Sequence, residues 1–217
     1  MSKRINKEVK KDSKNKAEKF WDRTANSYDK EEEKDKKTYE HIIGRTKRYL
    51  KSSDTILDLG CGTGLVSNEL SANVKNIDAI DFSTKMIEIA KTKAENRKIK
   101  NIEYSHTTVF DDRLKLASYD VIFCFYILHL LDNEQKIMRK IHELLKPDGI
   151  LISVTPCMGE KIIQGSLFSI FSKIGIVPKV NLFKRLDLER LIAENFNIIE
   201  SECLPKTSNQ YFIASRK

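Results

Sequence analysis

From Thr55 onward, short apolar runs alternate with longer stretches of helical periodicity. The runs are Thr55–Leu59, Ile77–Asp81, Ile102–Tyr104, Val121–Phe125 and Ile150–Val154. They are continuous rather than alternating, as strands buried on both faces of a parallel sheet must be. The segments Leu65–Ala72, Thr84–Asn96 and Asn133–Leu145 carry apolar residues at helical spacing. Ser83 and Asp132 stand where N-caps are expected, because a short side-chain oxygen there can accept from an orphan amide. Pro147-Asp148-Gly149 reads as a turn that feeds the next strand. Strand, helix, strand at this rhythm predicts an α/β doubly wound sheet with helices on both faces.

The two ends depart from the rhythm. Leu186–Asn195 reads as a helix, and Asn197–Glu202 and Gln210–Ser215 as strands joined by a short polar link. The last strand is therefore antiparallel in a mostly parallel sheet. Residues 156–183 form an insertion whose Leu167, Phe168, Ile170, Phe171, Ile174 and Ile176 make an apolar helical stripe, a candidate lid over an acceptor site. Ahead of the first strand, Trp21, Ala25 and Tyr28 share one helical face, and Tyr39, Ile42, Ile43 and Tyr49 mark another helix. Residues 20–50 are read as cap helices, and residues 1–217 as one domain.

Composition narrows the class. Hydrophobic residues are 40% and charged residues 32% of 217, which excludes disorder over most of the length. The longest apolar run, Val121 to Leu131, falls far short of the ~20 residues of a membrane helix. MSKRINKEVKKD at the start has no apolar stretch, so a cytoplasmic protein without membrane contact is expected. Four widely spaced cysteines without a CxxC pair argue for reduced thiols and no metal site. Of the net charge of +8, residues 1–19 carry eight basic residues against three acids. That stretch is expected to be a mobile, solvated tail, with nucleic acid the less favoured partner.

The chemistry lies in Thr55 to Leu65, TILDLGCGTGL. A strand carries Asp58 near its end, a loop follows with Gly60, Gly62 and Gly64, and then a helix starts. Glycine lets the backbone turn sharply and approach a ligand, at the strand ends where open α/β sheets bind them. The second strand ends in Asp81, where a ribose-binding carboxylate belongs. Leu65 occupies the position of the third glycine of a dinucleotide fingerprint, and Asp58 is a poor neighbour for pyrophosphate. An acid there suits a ligand with an amine and a sulfonium. No GxxxxGK[ST], HExxH or GxSxG is present.

At these residues the chain resembles the class I S-adenosylmethionine (SAM)-dependent methyltransferases, which implies a Rossmann-like sheet. DFSTKMIEIAK (81–91), YDVIFCFYILHLL (119–131), LLKPDGILI (144–152) and FWDRTANSYDK (20–30) are similar to further elements of that family. The resemblance implies a cofactor, SAM, and a product, S-adenosylhomocysteine. It implies that the backbone from Gly60 through Cys61 and Gly62 to Gly64 approaches the methionyl part, with Asp58 orienting its amino group. Asp81 would bind the ribose hydroxyls, and Phe82 and Met86 would pack on adenine. Thr107, Thr108 and Val109 align with the loop that reads the adenine amine, a role that Asp111 takes after a shift. Phe125 and Tyr126 would lie under the methyl group, and Tyr28 would cover the cofactor.

His129, just after the fourth strand, is the candidate general base, with Tyr126 beside it as the second catalytic candidate. The expected reaction is in-line methyl transfer to a small, partly apolar molecule by a monomer or homodimer. Three alternatives remain at this stage: a nicotinamide-dependent oxidoreductase, a nucleic-acid methyltransferase, and a SAM-binding protein without catalysis. FCFY at Phe123 to Tyr126 stands where a base-modifying enzyme would carry an NPPY-like tetrad.

Overall fold

The computed structural model describes residues 16–30, 35–160, 180–205, 207 and 209–217. The stripe of residues 167–176 lies outside them. Helix α1 spans residues 16–30, so residues 16–19 belong to a helix rather than to the tail expected to run to residue 19. Then follow α2 (Lys36–Lys47), β1 (Thr55–Leu59), α3 (Leu65–Leu70), β2 (Asn76–Asp81), α4 (Thr84–Asn96) and β3 (Ile102–His106). The second half holds β4 (Tyr119–Phe125), α5 (Glu134–Leu144), β5 (Leu145–Pro156), α6 (Arg185–Ala193), β6 (Asn197–Cys203) and β7 (Gln210–Arg216).

The seven strands form one sheet in the order β3-β2-β1-β4-β5-β7-β6. β1 to β5 are mutually parallel, whereas β7 runs antiparallel to both β5 and β6. The strand order reverses between β2 and β4 on either side of β1, the switch point where a doubly wound sheet opens a crevice.

Strand side chains alternate between two cores. Leu57, Ile122 and Cys124 face a cluster built with Met138 and Ile141 of α5 and Leu188 and Ile192 of α6. Ile56, Val121 and Phe123 face the other side, with Ile42 of α2, Leu70 of α3 and Ile87 and Ala90 of α4. Both faces of the sheet are thus buried, which explains why the strands read as unbroken apolar runs.

Two local expectations are corrected. The α5 cap is Asn133, held left-handed at φ 58° with no capping side-chain bond, and Asp132 precedes it. Pro147-Asp148-Gly149 is not a turn ahead of β5 but lies inside it. Tyr119 pairs with Leu145 and Val121 with Ile150, so the extra residues bulge out of the ladder, with Asp148 at φ 62°. The Ser83 cap is as expected: its Oγ accepts from the Met86 amide at 3.2 Å.

Candidate active site

The loop after β1 is folded back over the end of β2. The Gly60 and Cys61 amides donate to the Ile80 carbonyl at 2.8 and 3.0 Å, and the Gly62 amide donates to Asp81 Oδ2 at 3.0 Å. Gly60, Gly62 and Gly64 all have positive φ, at 77°, 53° and 74°, a region that side-chain-bearing residues rarely enter. The three differ in what a side chain would meet. At Gly60 it would strike Ile127 at 2.8 Å, and at Gly64 the Tyr104 hydroxyl at 2.4 Å. At Gly62 the nearest atom is Tyr28 Cε1 of α1 at 3.9 Å, an ordinary van der Waals contact, so of the three only Gly62 has room for a side chain.

A small cleft with about 50 Å³ of free volume, open to solvent, lies at this point. It joins Tyr28 of α1, Tyr39 and Ile42 of α2, Asp58 of β1, the loop from Gly60 to Thr63, and Phe125 and Tyr126 at the end of β4. Seven of the residues expected from sequence therefore share one wall: Tyr28, Asp58, Gly60, Cys61, Gly62, Phe125 and Tyr126. Gly64 packs behind it. Tyr39, Ile42, Thr63, Leu65 and Val66 also line the cleft, and the sequence assigns none of them to the site. The Tyr39–Ile42 spacing on α2 was a helix-face signal without an indication of what the face covers.

The two acids have different environments. Asp58 is 2% exposed, and its carboxylate accepts from Ser67 Oγ at 2.5 Å. Burial pushes its carboxyl up to about 7, against the Ser67 bond that lowers it. Asp81 is also buried, and burial raises it, but backbone amides address both its oxygens: Gly62 on Oδ2 and Ser83 on Oδ1 at 2.8 Å. Burial raises the Cys61 thiol well above its ordinary range, so the thiol is neutral.

Phe82, Met86, Thr107, Thr108 and Val109 lie outside the cleft wall. Met86 and Val109 are buried. Thr107 takes its place beside Asp81, donating its amide to the Asp81 carbonyl at 2.9 Å and its hydroxyl to Asp111 at 2.6 Å. Asp111 is fully engaged: Arg113 grips both its oxygens and holds the carboxyl well below the usual range. Helix α1 crosses this side. Asp22 accepts from Ser83 Oγ at 2.6 Å and the Lys85 amide at 3.1 Å. Asp29 accepts from Thr63 Oγ1 at 2.5 Å and Lys93 at 2.7 Å. Glu18 approaches His106 at 3.3 Å.

On the opposite side, Tyr126 sits at φ 54°, a strained conformation for an aromatic residue. Its hydroxyl donates to Gln210 Oε1 of β7 at 2.9 Å. His129 lies in a single 3₁₀ turn, Leu128–Leu130, and not in the cleft wall. It is 7% exposed, burial lowers it to about 4, and its Nδ1 has no hydrogen-bond partner among the described residues. The end of the 156–183 insertion is stitched to this turn. The Asn181 amide donates to the His129 carbonyl and its side chain to the Leu131 carbonyl, both at 2.7 Å. The Gly159 amide donates to the Phe183 carbonyl at 2.9 Å, which brings the two ends of the insertion together. No group of three or more potential metal ligands occurs among the described residues, and no described helix is long and apolar enough to cross a membrane.

Comparison with known proteins identifies the family of the chain. A family profile described as a methyltransferase domain matches residues 50–204. A malonyl-[acyl-carrier protein] O-methyltransferase of Bacillus cereus is 36% identical over 134 residues, 59% of this chain and 48% of the relative. A ubiquinone biosynthesis O-methyltransferase of Rickettsia canadensis is 34% identical over 126 residues, 57% of this chain and 52% of the relative. The match thus spans about half the length of these curated relatives. Among solved structures, a geranyl diphosphate C-methyltransferase from Streptomyces coelicolor, in complex with S-adenosyl-L-homocysteine, superposes with a TM-score of 0.65. It is 13% identical, and the superposition covers 77% of this chain and 73% of that one, a likeness of fold.

Proposed function

The chain belongs to the SAM-dependent methyltransferase family, and we propose that it transfers a methyl group from SAM to a small, partly apolar acceptor. The observation that carries this reading is the cleft itself. A buried carboxylate, an open glycine and an aromatic wall converge at the sheet's switch point. The bound cofactor supplies a methyl group on a sulfonium centre. The protein's task is alignment and exclusion of water rather than bond chemistry of its own.

The residues fit that cofactor. Among the described residues Asp58 is the one carboxylate lining the cleft, where it would hold the methionyl ammonium. Gly62 and Tyr28 meet on the cleft wall, where a side chain at Gly62 would lie 3.9 Å from Tyr28 Cε1, in the space a ligand would enter. Asp81 retains lone pairs beyond its two amide bonds, enough to accept from ribose hydroxyls. Phe82, Met86, Thr107, Thr108 and Val109 continue from Asp81 as the adenine side. Phe125 and Tyr126 line the cleft, where aromatic rings would attract a cationic sulfonium. The curated relatives carry names that point to malonyl-acyl carrier and ubiquinone-pathway acceptors, which supports an oxygen nucleophile on a partly apolar molecule.

His129 is neutral at pH 7 and its Nδ1 is without a partner among the described residues. We assign it to hydrogen-bond and accept a proton from the acceptor hydroxyl. Asn181 and Gln210 act as positioning residues, for the His129 turn and the Tyr126 ring respectively. The 156–183 insertion is assigned to the acceptor side because its described ends meet beside His129. The arrangement does not favour a nicotinamide cofactor, since Asp58 would face a pyrophosphate.

The test is incubation with methyl-labelled SAM and a panel of phenols, carboxylic acids and acyl thioesters. Label transferred to at least one acceptor, lost in His129→Ala, is the expected result. SAM binding with no transfer to any class of acceptor would contradict an active enzyme.

A further inference from the structure

Among the described residues, the elements that enclose Asp58 offer it no cation. Ser67 of α3 donates its hydroxyl to Asp58 Oδ2 at 2.5 Å, the one side-chain bond Asp58 makes among the described residues. Around it stand Asp81 of β2, the Cys61 thiol, the Tyr104 phenol of β3, the Cys124 thiol of β4 and the Tyr39 phenol of α2. Burial raises every one of those thiols and phenols, so they are neutral at pH 7. Lys93 of α4 and Arg97 at its end are paired with Asp29 and Glu69. An ionised carboxylate in such a place is costly, and the group neutralises itself by holding a proton.

Resting on the cofactor reading above, we propose that Asp58 is a neutral carboxylic acid in the ligand-free protein and surrenders its proton when the ligand's ammonium enters. The O–H bond of the carboxyl breaks, the proton passes to bulk buffer, and the carboxylate pairs with the incoming cation. The ammonium supplies the charge partner that the fold withholds, so the site is a proton-for-cation exchanger. It favours ligands with a positive methionyl end over neutral nucleosides. Asp81 differs because backbone amides already stabilise its charged form.

The experiment is calorimetric titration at pH 6.5 in buffers of different ionisation enthalpy. S-adenosylhomocysteine, whose ammonium stays protonated there, is compared with 5′-methylthioadenosine, which lacks the amino acid. A carboxyl at about 7 is protonated in about three-quarters of molecules at pH 6.5, so binding of S-adenosylhomocysteine should release about 0.75 proton. Methylthioadenosine should release none. The Kd for S-adenosylhomocysteine should weaken about tenfold per pH unit below 7 and level off above it. Asp58→Asn, which keeps the shape and the Ser67 contact, should abolish the release.

A binding enthalpy independent of buffer in the wild-type protein would overturn the proposal. So would equal proton release from the two nucleosides, or unchanged release in Asp58→Asn. If neither nucleoside binds at any pH, the cofactor reading has failed and the proposal with it. That result is distinct from tight binding without proton release.

Discussion

The amide of Gly62 donates to the carboxylate of Asp81 across 3.0 Å, which joins the glycine loop of β1 to the end of β2. The acid proposed to bind the ribose also holds the loop proposed to approach the methionyl end. Asp81→Ala should therefore lose more than its own ligand contacts. Two charge-assisted bonds at about 1.5–3 kcal/mol each predict at least a hundredfold weaker S-adenosylhomocysteine binding. Calorimetry checks this, with circular dichroism to show an unchanged fold.

Gly64→Ala and Gly62→Ala should separate stability from binding. Both positions have positive φ, and that strain costs about 1–2 kcal/mol. A side chain at Gly64 also collides with the Tyr104 hydroxyl, whereas at Gly62 it meets only Tyr28 Cε1, in ordinary van der Waals contact at 3.9 Å. Denaturant titration should show the larger loss for Gly64→Ala. Gly62→Ala should fold and bind ligand poorly.

Asp58 makes the free protein's stability depend on pH. Unfolded, an aspartate releases its proton near 4, while in the fold it holds it up to about 7. The folded state thus binds the extra proton between those values, so stability falls as pH rises, by about 1.4 kcal/mol per unit at most. The whole contribution is present below pH 4 and lost above 7. Asp58→Asn should be more stable than the wild type at pH 8 and equal to it at pH 4, as read from denaturation midpoints at each pH.

Asp22 caps α4 from another helix, through Ser83 Oγ and the Lys85 amide. Its loss should cost about 1 kcal/mol, the usual value of a cap. Hydrogen exchange should quicken in α1 and the first turn of α4 together. Quickening confined to α4 would mean that α1 is held by other contacts.

His129→Gln should lower kcat by about a hundredfold or more if the imidazole accepts the acceptor's proton, and leave S-adenosylhomocysteine affinity unchanged. A drop in affinity with normal turnover would place His129 on the cofactor side.

Much of the architecture is local and hence legible in the chain. The apolar runs give β1 to β4, the Ser83 cap fixes the start of α4, and the short polar link pairs β6 with β7. The exceptions arise where tertiary pairing overrides local signals. Leu145 joins the sheet opposite Tyr119 before the Pro147-Asp148-Gly149 segment, which turns a predicted loop into a bulge. The site divides the same way. The glycine loop and Asp58 announce themselves through spacing. Asp22, Asp29 and Gln210 act on partners 61, 64 and 84 residues away, respectively, and no local periodicity reports such pairs. Ser67, nine residues from Asp58, was within reach of helix geometry but carried no chemical signal until the burial of Asp58 was known.

The most direct test of the account is calorimetric titration of the purified protein with SAM, S-adenosylhomocysteine and NADH in parallel. The account predicts micromolar binding of SAM and its product, none of NADH, and loss of both in Asp81→Ala. A folded protein that binds neither SAM nor S-adenosylhomocysteine would contradict it.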